Sequence, residues 1–184
     1  LRRQRQMCIR DNPNTLDSKN TVIRTAAMDC YILPCEYMGF DTTSIASSDT
    51  FAALQTGVVE GLAGSTPAGA YLNYRDIIDY YYVYQMSPEV TQIMISEKTL
   101  AKLSPEDQKT IVDICRQECA NSVNYAKEEG EKYLKLMEDN GIKIVRFSDE
   151  EIEMFAEAVR TDVWPQLAKT YGEDFINELL KLYK

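Results

Sequence analysis

The chain has 184 residues and a mass of 21.0 kDa, long enough for one well-filled core or two small lobes without help from disulfides or a metal. Its 20 basic and 29 acidic side chains leave a formal charge of -9, which excludes a general polyanion-binding surface and makes nucleic acid a poor partner. With no histidine, and with five cysteines at 8, 30, 35, 115 and 119 that form no CxxC pair, a zinc finger, a histidine-based triad and a zinc hydrolase all lack their parts; no metal or cofactor is expected.

The opening LRRQRQMCIRD is basic but has no apolar segment of the signal-peptide kind, and no later stretch reaches the roughly 18 apolar residues of a membrane-spanning helix. Residues 11–20, DNPNTLDSKN, have the composition of a loop. TVIRT alternates as a short strand, sending Val22 and Arg24 to one side and Ile23 to the other. Arg24 then stands near a strand end, a common place for ligand-facing groups in open α/β sheets. Apolar residues at 28, 31, 32, 35 and 38 predict a helix that Pro34 kinks or ends and Gly39 stops.

FDTTSIASS reads as a strand or loop, after which Ser47 or Ser48 caps a helix carrying Phe51, Leu54 and Gln55 and closed by Gly57. The small-residue run EGLAGSTPAG predicts a loop that brings backbone close to another segment or a ligand. A short helix over Tyr71–Asp79 follows, then a strand at YYYVY, where alternation sends half of the rings to each face; a half-buried sheet explains them more simply than a stacking platform.

Residues 90–96, VTQIMIS, carry the clearest strand pattern. Ser104, Pro105 and Asp107 then start a helix predicted to run to about Glu138, with Cys115 and Cys119 on one face as packing residues rather than a disulfide or reactive pair. IKIVRF supplies another strand, Ser148 and Glu151 form a capping box, and Ile152, Phe155, Val159, Trp164 and Leu167 line one helix; a last helix follows Gly172. Mixed strands and helices favour an α/β fold over a bundle.

The segment Asp49–Gly61, DTFAALQTGVVEG, resembles the Glu-Leu-Tyr-x-Ala-Leu-Gln-x-Gly-Val-Val-Asp-Gly segment of solute-binding proteins of the tripartite ATP-independent periplasmic (TRAP) transporters, the DctP-like family. In the same order, TVIRT resembles the family's Gly-x-Lys-Ile/Val-Arg strand with Asn20 in place of glycine, LAKLSPEDQKTI resembles the start of its long helix, and NGIKIVRFSDEEIEMFAEAV with VWPQLAKTYGEDFINELL resembles its closing strand and terminal helices.

The resemblance implies an α/β, periplasmic binding protein-like (type II-like) lobe with long carboxyl-terminal helices and most of the amino-terminal lobe missing. Its parts would be a linker at 1–20, the ligand-binding lobe at 21–85, a crossing strand and long helix at 86–137, and a closing strand with terminal helices at 138–184. It further implies periplasmic or outer-envelope location, a signal sequence upstream of residue 1, a small organic acid as ligand and membrane permease subunits as partners.

By the same resemblance Arg24 pairs with the solute carboxylate, which suits a guanidinium fork. Asp49 stands where the family has glutamate, and capping or structural roles compete there with ligand contact; Phe51 either covers a ligand or packs. Gly64 departs from the family's ligand-holding asparagine, so that contact passes to backbone, Ser65 or Thr66. An enzyme is not expected: Asp49, Glu60 and Asp76 are carboxylates that acid/base chemistry would require, but an acidic chain carries such residues anyway. The alternative to a working carrier is a truncated or degenerate fragment that does not bind and self-associates, with a homodimer covering an exposed apolar patch.

Overall fold

The computed structural model describes residues 21–85 and 92–182. Strand β1 (Val22–Thr25) is the middle strand of a three-stranded parallel sheet, with β2 (Asp41–Ser44) on one edge and β3 (Gly61–Leu62) on the other. Its VIRT sequence has β-branched residues everywhere except Arg24, which suits a strand bonded on both sides. Parallel neighbours need crossovers, and these are α1 (Asp29–Tyr37) and α2 (Thr50–Thr56).

Alternation along β1 sorts the core into two layers. Ile23 joins Cys35, Met38, Phe40 and Ala63, whereas Val22 packs against Ala53, Leu54, Val59 and Leu62. Pro34 lies inside α1 without ending it, since the helix runs on to Tyr37. Burial, followed by the nearby Glu36 charge, pushes the Cys35 thiol up to about 12, so this thiol is an inert packing group. Helix α2 ends as expected at Gly57, whose φ of 77° is the left-handed cap conformation. Its start differs from expectation: Ser47–Asp49 form a single 3-10 turn, neither serine caps the helix, and the Thr50 hydroxyl donates to the Ala46 carbonyl instead.

Helix α3 (Pro67–Tyr74) begins within the segment expected to be loop. Thr66 caps it by accepting from the Gly69 N–H, and Pro67 fills the first turn, where a missing N–H costs nothing. Strand β4 (Tyr80–Val83) pairs in parallel with β5 (Lys143–Arg146), and the connection between them contains α4 (Glu97–Leu100) and α5 (Pro105–Asp139). Alternation holds here too: Tyr82 and Tyr84 pack with Phe147 and Phe155 beside the Ile23 cluster, while Tyr81 and Val83 lie against Leu134, Met137 and Ile142. Of the 90–96 strand, 92–96 are described and form no strand; residues 90 and 91 lie outside the described residues. Among the described residues no strand pairs with this stretch, and Ile93, Met94 and Ile95 are all exposed.

The 35 residues of α5 extend about 52 Å. As expected, Ser104 caps the helix by accepting from Asp107 N–H, with Pro105 in the first turn. Only its carboxyl end enters the core, through Leu134 and Met137. The expected apolar stripe is exposed further up, where Val123 is 72% accessible, and Cys119 is exposed with a free thiol instead of packed. Among the described residues no element covers that part of the helix, so spacing alone did not bury it.

Helix α6 (Asp149–Ala158) has the expected capping box: Ser148 accepts from the Glu151 N–H while the Glu151 carboxylate accepts from the Ser148 N–H. The single helix expected to carry Ile152 to Leu167 is divided by a π turn at Val159–Val163 and resumes as α7 (Trp164–Tyr171), while α8 (Glu173–Lys181) is the last helix expected after Gly172. Pro165 cannot donate the usual helical hydrogen bond, which accounts for the widened turn just before it. Helix α7 is tied to α1 by Thr170 donating to Asp29, and the turn before it by Tyr37 donating to Asp162.

Two substitutions test this framework by urea unfolding. Leu54 is 0% exposed, so Leu54→Ala is expected to destabilise the chain by roughly 2–5 kcal/mol, the cost of lost burial plus a cavity. Ser148→Ala should cost about 1 kcal/mol, because it removes the oxygen that caps α6; an unchanged midpoint would show that the box does not stabilise the folded state.

Candidate functional site

The carboxyl ends of β1 and β3 place the expected ligand residues in two groups. Arg24, half-buried, extends from β1 on the same side as Val22, and its Nε donates to the Ile45 carbonyl at 2.8 Å. That carbonyl immediately precedes the turn carrying Asp49, so the arginine stem is fixed against the β2–α2 connection. Among the described residues no carboxylate is within ion-pair range of Arg24. The two terminal amino groups of the guanidinium therefore retain their donors, which is the arrangement that receives a planar anion through paired hydrogen bonds.

Asp49 is exposed and accepts from the Ser48 hydroxyl at 3.1 Å. It occupies the N-cap position of α2 without a side-chain capping bond, so the expected capping contact is absent. Phe51, in the first turn, is 40% exposed. Its ring is available on the surface at the start of the helix, not consumed by the core.

The second group follows β3. Gly64, Ser65 and Thr66 line a cavity of about 330 Å³ whose other walls include Tyr31, Glu60–Leu62 and the segment from Tyr80 to Gln85. Gly64 has φ +82°, and a Cβ there would meet the Tyr31 ring at 3.2 Å. The ring thus stands beside the space that a side chain at 64 would enter, which explains physically why this position carries glycine. The Ser65 carbonyl accepts from the Tyr81 hydroxyl at 2.9 Å, while the Thr66 oxygen is committed to capping α3. Burial pushes Tyr81 up to about 12.

Sequence reasoning missed the aromatic wall opposite this loop. Tyr82 stacks between Tyr80 and Tyr84 at centroid distances of 6.2 and 6.1 Å. Tyr84 is 8% exposed and, among the described residues, its hydroxyl has no hydrogen-bond partner; its pKa is raised mainly by burial and also by Tyr82. The tyrosine alternation was legible, but its facing of the glycine loop depends on how the two sheets lie beside one another. Arg24, Asp49 and Phe51 are not among the residues lining this cavity. Asp76, weighed above as a carboxylate for acid/base work, is exposed and lies about 4.0 Å from Arg75. Among the described residues there is no cluster of three or more potential metal ligands, and no helix is long and apolar enough to cross a membrane.

The family model for DctP, bacterial extracellular solute-binding protein family 7, matches residues 14–170. A search of curated proteins finds no match. Solved structures show the same fold. A TRAP periplasmic solute-binding protein from Sulfitobacter sp. NAS-14.1 with bound β-D-galacturonate is 21% identical with a TM-score of 0.71, over 91% of this chain and 54% of that chain. One from Fusobacterium nucleatum with bound sn-glycerol-3-phosphate is 24% identical with a TM-score of 0.68, over 90% and 53%. A third, from Shewanella oneidensis with bound succinate, is 18% identical with a TM-score of 0.69, over 91% and 55%. The chain therefore spans about half the length of the solved proteins it matches. With the α/β architecture in place and the family model covering most of its length, the chain belongs to the DctP family of bacterial extracellular solute-binding proteins.

Proposed function

We propose that the chain contributes the carboxylate-binding side of a solute carrier: Arg24 receives the carboxylate of a small organic acid, which a TRAP transporter's permease subunits then accept on the outer side of the membrane. The observation that carries this reading is the half-buried Arg24, fixed through Nε to Ile45, with its remaining donors uncommitted and no carboxylate beside it among the described residues. A guanidinium stays charged at any physiological pH, and held in place it loses little further entropy when an anion docks. Relatives of this fold crystallised with galacturonate, succinate and glucuronate, all carboxylates, support the solute class.

Binding and release of this kind require no nucleophile or general base, so a carrier and not an enzyme is the functional class. Location outside the cytoplasm accords with the family description. Asp49 and Phe51, at the start of α2 just beyond the Ile45 anchor, are proposed to border the solute, the carboxylate accepting a solute hydroxyl and the ring covering an apolar edge. Ser65 is the remaining hydroxyl that can stand in for a side chain at 64, since Thr66 already caps α3.

Calorimetric titration with succinate, galacturonate, glucuronate and orotate tests the assignment. Saturable heat from at least one acid is expected, with Arg24→Ala weakening it roughly 30-fold, the equivalent of about 2 kcal/mol for hydrogen bonds to a charged group. Absence of heat from every acid in a folded chain would instead support the non-binding fragment. In a separate unfolding measurement, Gly64→Ala should lower stability by about 1–2 kcal/mol, because a side chain is forced into the left-handed region against Tyr31; Tyr31→Ala in the same chain should recover only the steric part.

A further inference from the structure

The three strands of the first sheet are parallel, so their carboxyl ends share one side of it, the place where open α/β sheets hold ligands. Three stretches of chain lie at those ends: RTAAM at 24–28, SIASSDTF at 44–51 and LAGSTP at 62–67. Arg24 is the only cation in the three and Asp49 the only anion. Their side of the sheet is thus built with a single charge of each sign.

The two charges do not neutralise one another. Arg24 is anchored through Nε to the Ile45 carbonyl at 2.8 Å, and the Asp49 N–H donates to the next carbonyl, that of Ala46, at 3.0 Å. A 3-10 turn rises about 2 Å per residue, so the three steps from Ala46 to Asp49 carry the acid roughly 6 Å past the arginine's anchor. Neither side chain is in an ion pair among the described residues. One Asp49 oxygen accepts from the Ser48 hydroxyl at 3.1 Å, and no capping bond uses the other. A cation and a carboxylate that stand near each other without pairing can grip two ends of one small molecule.

The charge of that molecule follows from the pair. One solute carboxylate on Arg24 satisfies the cation. A second carboxylate would face Asp49 with no other cation in the three stretches to offset it, and like charges at such range repel. A hydroxyl in the same place donates to Asp49 instead, in a hydrogen bond strengthened by the acceptor's charge. We propose that Asp49 makes the site selective for a singly charged hydroxy acid, with the carboxylate on Arg24 and a hydroxyl on Asp49, and turns away dicarboxylates. The assignment rests on the carrier reading and specifies its solute.

Calorimetry at neutral pH on the unaltered chain and on Asp49→Asn tests the proposal with galacturonate, succinate and 4-hydroxybutanoate, the last being succinate with one carboxylate replaced by a hydroxymethyl group. Asp49 is exposed and makes no capping bond, so the variant should keep the urea midpoint of the unaltered chain. The unaltered chain should bind 4-hydroxybutanoate and galacturonate about tenfold or more tightly than succinate. Asparagine keeps an acceptor oxygen and loses the charge, so Asp49→Asn should tighten succinate about tenfold and weaken the two hydroxy acids several-fold. Succinate bound more tightly than 4-hydroxybutanoate by the unaltered chain would overturn the proposal, as would the same preference in both chains. Acid binding that is lost in Arg24→Ala but keeps its preference in Asp49→Asn sinks this inference alone. Heat from no acid in either chain sinks the carrier reading and this inference with it.

Discussion

Strand β1 is bonded in parallel on both edges, to β2 through Val22–Asp41 and Thr25–Ser44 and to β3 through Ile23–Gly61 and Arg24–Leu62. That double pairing fixes its register. A slip of one residue would turn Ile23 away from Cys35 and Met38 and drive Arg24 into that apolar layer, burying an unpaired charge. The same register that fills the core therefore puts Arg24 on the side of the Ile45 carbonyl. Core packing and the placement of the cation are one constraint, because the side-chain period of a strand is two.

The second sheet depends on a different device. Strands β4 and β5 are parallel, so the chain must travel back between them, for which a dozen residues would suffice. Helix α5 alone has 35. Its carboxyl end closes the layer of Ala70, Leu134, Met137 and Ile142, while its other half carries Ile114 and Val123 in exposed positions. Helical order there comes from the Ser104 cap and from surface pairs such as Lys109–Asp113, individually worth only a few tenths of a kcal/mol. A helix built this way supports itself over a length that the described lobe does not use.

How far the sequence revealed this structure depended on whether the signal was local. The Ser104 and Ser148 caps, the Gly57 stop and the alternation of β1 and β4 were legible because each needs only a few neighbouring residues. Arg24 was reachable through a family resemblance and a strand end, and its lack of a neighbouring carboxylate among the described residues was not, since that depends on side chains far along the chain. VTQIMIS had the composition of a strand, yet 92–96 have no partner among the described residues; composition cannot supply the other half of a ladder. Conversely, Thr66-Pro67 is the same kind of helix start as Ser104-Pro105, and the glycines around it concealed α3. The cysteine spacing in α5 correctly implies a shared face but says nothing about whether another element covers it.

Glycine at 64 connects the two parts of the candidate region. Its positive φ turns the chain from β3 toward α3, and the absence of Cβ lets the Tyr31 ring approach. The turn brings the Ser65 carbonyl to the Tyr81 hydroxyl, which links the β3 edge to the β4 edge while leaving space between them. A polar side chain at 64 could not occupy that space without displacing Tyr31. The cavity consequently acquires apolar rings, one acidic residue and backbone edges, whereas the positive charge suited to an organic acid stays on the β2 side of β1. Physical chemistry thus distinguishes what adjacency in sequence would join: the glycine loop lies close to Arg24 along the sheet, but the loop's cavity presents rings and a carboxylate whereas Arg24 presents a cation.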